Sequence, residues 1–243
     1  MGGVAAAAPP TRAGAAEACQ DLAMVEQRPR KRASYHHGDL RAALIGAGID
    51  LAREGGPQAL VLREVTRVVG VAPNSAYGHF PTLTALKKAV AQRARGDMAV
   101  AMKAHLDGVA PAEPADAREA ATTYLREVGR AYVQYALTEP GLFRTAMGGD
   151  PTGIRVPAAP ADTSGDEDDR PRPRAFLERA LTRLVEVGCL RPEDTGKAVT
   201  ASWATVHGLS IMLLDLLPQL TAEEKNMAID DALAVLVAGL IRP

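Results

Sequence analysis

The sequence predicts an all-α protein in which a small N-terminal helical domain precedes a larger helical body. Three observations carry that prediction. Apolar residues recur at helical spacing through most of the chain. No stretch shows the alternating β-branched pattern of strands. Gly and Pro clusters such as Gly55-Gly56-Pro57 and Pro111 to Pro114 separate the periodic segments. At 243 residues the chain suits two cores of modest size, since domains commonly hold ~100–200 residues.

Leu40, Leu44, Ala47, Gly48, Leu51 and Ala52 define a first helix of about Asp39 to Glu54, stopped by the Gly-Gly-Pro that follows. Leu62 to Val69 is a short helix ended by Gly70. Pro73 to His79 is another, with proline in the first turn, where its missing N–H does no harm. Phe80-Pro81 closes it, because a residue before proline is pushed out of helical geometry. Thr82 to about Leu106 carries Leu83, Leu86, Val90, Ala94, Met98 and Met102 on a longer helix. Ala115 to Leu137 and Pro140 to Met147 read as the next two. Gly148 to Pro173 is rich in Gly, Pro and acid, including Asp166-Glu167-Asp168-Asp169, and is expected to be a mobile loop, because it has little apolar area to offset ordering entropy. The acidic run lacks the spaced ligands and central Gly of a calcium loop. Arg174 to Val187 is amphipathic, Glu193 to Leu217 is apolar nearly all round, and Glu223 to Ile241 is the last helix. The expected division is residues 1–33 as a disordered leader ending in a basic arm, 34–96 as one domain and 97–243 as the other.

The formal net charge is only -1, with 28 Lys and Arg against 29 Asp and Glu. Its distribution is uneven. From Arg28 to Gly96 there are 12 Lys/Arg and 4 Asp/Glu, a net of +8, which leaves -9 for the remainder. Such asymmetry points to a local nucleic-acid or membrane surface. Cys19 and Cys189 are the only cysteines, so no disulfide framework is encoded and a reducing cytoplasm suits the chain. Met1 to Gln27 lacks the ordered regions of a signal peptide. Ala198 to Leu217 contains Thr200, Ser202, Thr205, His207, Ser210 and Asp215, which favours a buried helix over a membrane span.

Two short helices around Gly70 fit a helix-turn-helix whose second helix enters the DNA major groove. Val65 and Val71 are placed to pack the pair, Ala76 faces the first helices, and Pro73, Asn74, Ser75, Gly78 and His79 remain free to meet DNA. The run "LREVTRVVGVAPNSAYGHFPTLTALKKAV" resembles the TetR family of transcriptional regulators over roughly Tyr35 to Arg95. The resemblance implies that Tyr77 and His79 approach phosphates and that Phe80 anchors the helix in the core. Arg63, Lys87, and an arm of Arg30, Lys31, Arg32 and His36 complete the candidate DNA-binding set, since phosphate neutralisation by basic groups supplies affinity independent of sequence. Some positions depart from the family pattern. Val61 and Ala72 stand where Ser or Thr caps are usual, Thr66 where Ala is common, and Gly78 and Leu83 where basic residues are frequent.

Farther on, "ASWATVHGLSIMLLDLL" resembles the Trp-His-Gly signature of a C-terminal domain in a subset of these regulators, and Tyr132, Tyr135, Pro140, Leu142 and Phe143 extend the likeness. Trp203 and His207 are four apart and share a helix face, with Gly208 allowing a neighbouring helix to approach. Met98, Met102, Tyr132, Phe143, Met147, Phe176, Trp203, His207 and Met212 are the candidate lining of an effector pocket, because polarizable Met beside aromatics suits apolar ligands. Core packing is the competing reading for the same residues.

The resemblance implies a homodimer built on Glu193 to Leu217 and Glu223 to Ile241. It would bind double-stranded DNA at a palindromic operator and act as a repressor released by a small apolar or aromatic effector. The alternative is a dimeric helical sensor or interaction protein with weakened or lost DNA binding. No phosphate loop, metal-spaced cluster or nucleophile elbow is present, so no enzyme activity, metal or cofactor is expected, and no membrane partner.

Overall fold

Among the described residues, three helices at the N-terminal end, one long connecting helix and five helices of a body make up the architecture. The computed structural model describes residues 40–109, 116–148 and 172–241, and no strand occurs among them. In chain order the helices are α1 (Leu40–Gly55), α2 (Leu62–Val69), α3 (Pro73–Tyr77), α4 (Leu83–Gly108), α5 (Ala117–Thr138), α6 (Pro140–Met147), α7 (Pro173–Glu186), α8 (Thr195–Ile211) and α9 (Ala222–Leu240). The basic arm with Arg30, Lys31, Arg32 and His36, and residues 149–171 of the expected mobile loop, lie outside the described residues.

Local chemistry explains most of the boundaries. Gly70 ends α2 with φ of 79°, a left-handed conformation that glycine adopts without a Cβ penalty, and its N–H donates to the Thr66 and Arg67 carbonyls. Thr82 starts α4 by accepting a hydrogen bond from the Ala85 amide at 3.0 Å, and Asp116 starts α5 by accepting from the Glu119 amide at 2.7 Å. That second cap is why α5 begins at Ala117 and not at the expected Ala115. Thr221 and Glu224 form a reciprocal capping box at α9. Pro140 divides α5 from α6 because it cannot continue a helix.

Two further elements differ from the sequence expectation. α3 stops at Tyr77 instead of reaching His79, because the amides of His79 and Phe80 both turn back to the Ala76 carbonyl, at 3.0 and 2.8 Å. The segment expected as one helix from Glu193 to Leu217 is a 3₁₀ turn at Pro192–Asp194, α8, and a π turn at Met212–Leu216, where the Leu217 amide reaches the Met212 carbonyl five residues back.

α4 joins the two parts of the core. Its Leu86 and Val90 are buried with Leu44, Leu60, Val65, Ala76 and Phe80, whereas its Met98 and Met102 are buried farther along. α4 packs on α1, α5 and α6, and α5 packs on α7, α8 and α9. A close contact fixes α1 to α6. A Cβ at Gly141 would lie 2.3 Å from the Ala52 carbonyl oxygen and 2.4 Å from that of Arg53, so only glycine lets the start of α6 meet the last turn of α1.

The stretch Pro192–Leu216 is long and apolar enough to cross a membrane by length and composition, and only 33% of its most apolar window is buried within the chain. Its uncovered side includes Trp203, Met212 and Leu216, and Met227 and Val235 of α9 are exposed as well. A Cβ at Gly208 would meet nothing within 4 Å, so the close helix approach expected there does not occur inside one chain.

Candidate functional site

α2, the Gly70 turn and α3 form a helix-turn-helix whose anchor is apolar. Val65 and Ala76 are fully buried, Phe80 nearly so, and Val71 half-buried. Thr66 is buried too, but its hydroxyl donates to the Arg63 carbonyl at 3.1 Å, which meets its polar requirement within the helix. The Arg41 guanidinium lies 5.5 Å from the Phe80 ring centroid.

With Ala76 turned inward, the opposite face of α3 is open to solvent. Pro73, Asn74, Ser75, Tyr77 and Gly78 are exposed, and His79 is half-buried beside them. Tyr77 is 53% exposed, which is high for a large aromatic ring with no buried neighbour to cover. Arg63 is exposed on α2 and Lys87 is half-buried on α4. Val61 and Ala72 stand at the N-caps of α2 and α3, and neither supplies a side-chain hydrogen bond there.

In the body, the structure brings five of the nine candidate effector residues together. The Tyr132 and Phe143 rings meet edge to face with centroids 5.7 Å apart, Phe143 and His207 are 5.7 Å apart, and Trp203 stacks on His207 at 4.9 Å with 8° between the planes. Tyr132 Oη lies 3.2 Å from His207 Nδ1 and 3.6 Å from Met147 Sδ. Burial pushes the Tyr132 hydroxyl well above the usual phenol range, against a smaller lowering by the Trp203 indole N–H. Burial also lowers the pKa of His207, favouring its neutral imidazole. A neutral ring can accept the Tyr132 proton or donate its own. No hydrogen bond or ring contact among the described residues ties Met98, Met102, Phe176 or Met212 to this cluster. The first three are buried on α4 and α7, and Met212 is 36% exposed in the π turn.

A cavity of about 420 Å³ elsewhere in the body has no counterpart in the sequence reading. It is lined by Arg53, Asp97, Ala101, His105, Ala131, Gln134, Tyr135, Thr138, Glu139 and Leu142, so it lies between α4 and α5 at the end of α1. Asp97, Ala101 and His105 follow at four-residue intervals along one face of α4, and Ala131 and Tyr135 do so on α5. That spacing was visible in the sequence, but nothing in it marks which helix each face meets.

Residues 125–236 match the family described as "Tetracyclin repressor-like, C-terminal domain", a description that makes no reference to a Trp-His-Gly signature. No curated protein matches the chain. Among solved structures, a protein with unknown function from Rhodococcus sp. RHA1 aligns with a TM-score of 0.57 at 21% identity, over 86% of this chain and 98% of its own. A TetR variant from Acinetobacter baumannii AYE, in complex with minocycline, aligns at 0.53 and 19% identity over 82% of this chain and 94% of its own. RolR in complex with resorcinol aligns at 0.53 and 18% identity, over 84% and 88%. At these identities the solved structures establish the fold, and the matched C-terminal segment carries the relationship in sequence. The chain thus shares the fold of TetR-family regulators and, over residues 125–236, resembles the tetracyclin repressor-like C-terminal domain.

Proposed function

We propose that this chain is a sequence-specific DNA-binding repressor that works as a homodimer in the cytoplasm. Its DNA-binding part would be residues 34–96 and its effector and dimerisation part 97–243. The observation that carries the reading is the solvent-facing side of α3, where Pro73, Asn74, Ser75, Tyr77 and Gly78 stand on a helix held from behind by Ala76 and Phe80. A short helix with one anchored side and one polar open side can enter a major groove. Arg63, His79 and Lys87 flank that side, and Arg30, Lys31, Arg32 and His36 are assigned to a phosphate-binding arm ahead of α1.

The experiment is selection of bound fragments from a random DNA library, which is expected to return a palindrome with half-sites about 34–36 Å apart, one helical turn. Tyr77→Ala and His79→Ala are each expected to weaken binding to that site about tenfold or more, as loss of a hydrogen bond to a charged group does, with fold and association retained. Retention of full affinity in both variants overturns the assignment. A second reading, a helical sensor that no longer reads DNA, draws on the missing side-chain caps at Val61 and Ala72, which leave α2 and α3 each about 1 kcal/mol short of a capped helix. No enriched fragment from the library would favour it.

Dimerisation is supported by the uncovered apolar side of α8 and α9, where Trp203, Met212, Leu216, Met227 and Val235 are exposed. Gly208 offers a direct check. Nothing in its own chain opposes a Cβ there, so Gly208→Leu leaves monomer stability within about 1 kcal/mol. If a partner helix approaches at that point, the same change weakens association at least tenfold in sedimentation or light scattering. An unchanged association constant removes Gly208 from the interface.

The effector is assigned to the Tyr132, Phe143, Met147, Trp203 and His207 cluster, and Met98, Met102, Phe176 and Met212 to its outer lining. Flat rings backed by one polar point suit a small aromatic ligand. The resorcinol bound by RolR and the minocycline bound by the TetR variant are aromatic compounds on the same fold, which supports this class. Effector and operator would weaken each other by one shared factor.

A further inference from the structure

The cavity between α4 and α5 contains a polar atom that the fold leaves without a partner. Tyr135 is 7% exposed and lines the cavity, yet its hydroxyl makes no hydrogen bond to any described residue. A buried hydroxyl in that condition carries a desolvation cost that a protein normally relieves with a donor or acceptor, so the atom marks a place where one can be supplied from outside. The space beside it, about 420 Å³, falls in the range of small-molecule sites.

The surroundings set the charge of what fits. Asp97 from α4 and Glu139 from the α5–α6 junction both line the cavity. Each uses one oxygen on an arginine: Asp97 Oδ1 accepts from Arg93 Nε at 2.8 Å, and Glu139 Oε2 accepts from Arg53 Nε at 3.2 Å. Among the described residues the second oxygen of each has no donor. His105, the other basic group at the wall, is directed to Glu127 at 2.8 Å. Burial first, then Glu139 and Asp97, raise the Tyr135 hydroxyl to about 12, and the opposing influence of Arg53 is the smallest of the four. Two carboxylates, Asp97 and Glu139, stand at the wall against the single arginine Arg53, which favours a donor that carries positive charge. Ala101, Ala131 and Leu142 give the remaining wall an apolar surface.

We propose that this cavity binds a small organic monocation, an ammonium group on a short apolar body. The ammonium donates to Tyr135 Oη and to the open oxygens of Asp97 and Glu139, and the apolar body rests on Ala101, Ala131 and Leu142. The site is separate from the Tyr132 and His207 cluster, and it uses no residue assigned there. It also sits where α1 meets the body, since Arg53 belongs to α1 and Glu139 precedes α6.

The test is calorimetric titration of the full chain with three probes of one shape: phenethylamine, phenethyl alcohol and phenylacetate. The amine is expected to bind at least tenfold tighter than the other two. Tyr135→Phe removes the unpartnered hydroxyl, so it should raise the melting temperature of the free protein while weakening the amine at least fivefold. Asp97→Asn, at a half-exposed position, should weaken the amine to a similar degree with the fold intact. Trp203 is the single tryptophan of the chain, and its emission should not change on amine binding, because it belongs to the other cluster. The proposal is overturned by equal binding of all three probes, by absence of amine binding, by unaltered affinity in both variants, or by quenching of Trp203 as the amine saturates.

Discussion

Gly141→Ala is expected to destabilise the protein by about 3 kcal/mol, the upper part of the range for forcing an extra methyl into a packed interior. The cause is the identity of the atoms it meets. The new Cβ would stand 2.3 and 2.4 Å from the carbonyl oxygens of Ala52 and Arg53 and 2.9 Å from the Arg53 carbonyl carbon. These are backbone atoms at the end of α1, so no rotamer change can clear them, and the helices must move apart. Gly48 and Gly129 are tight as well, but their nearest neighbours are side-chain methyls of Val90 and Leu233, not backbone. Gly46→Ala is the matched control. Its Cβ meets nothing within 4 Å, so relief of glycine's helix penalty should stabilise by about 0.5–1 kcal/mol. Urea midpoints of the two variants should move in opposite directions, and hydrogen exchange should show the loss concentrated in the last turn of α1. Similar midpoints would mean that α1 does not rest on α6 in solution.

Phe143→Ala should be the other large effect, at about 3–5 kcal/mol, since a large side chain is lost and its space is only partly refilled. Phe143 is fully buried and touches both Tyr132 and His207. Trp203 belongs to the same cluster but is 38% exposed, so Trp203→Ala should cost about 1–2 kcal/mol by the smaller apolar area it covers. The contrast separates support from access: the buried ring holds the cluster, and the half-open ring faces its boundary. Denaturant unfolding of both variants gives the comparison. A Phe143→Ala loss below that of Trp203→Ala would contradict the packing described for α6 and α8.

Elements bounded by local chemistry were legible in the sequence. α2 and α6 have the expected limits because Gly70 and Pro140 act on their own backbone. α3 fell short because its end depends on where the His79 and Phe80 amides find a carbonyl, and Gly78, the poorest helix former in that stretch, stands at its C-cap. The π turn at Met212–Leu216 was hidden for a similar reason: five apolar and acidic residues carry no mark of an i to i−5 bond. Helical spacing placed Trp203 and His207 on one face, and the rings do stack. The pairing of Tyr132 with His207 spans 75 residues and that of Arg53 with Glu139 spans 86. Such contacts depend on how helices dock, so the first could be suggested only through family resemblance, and the second not at all.

The position of a single proton gives the aromatic cluster an ambivalence. Tyr132 has one O–H between an imidazole nitrogen and a thioether sulfur. With its proton toward Met147 the oxygen accepts from His207, and with the proton toward His207 the ring nitrogen becomes the acceptor. The imidazole Nε2 is then acceptor or donor in turn, and no heavy atom has to move. In the effector site proposed above, a phenol and a ketone would then meet the same imidazole in its two tautomers, and discrimination between them would fall to shape.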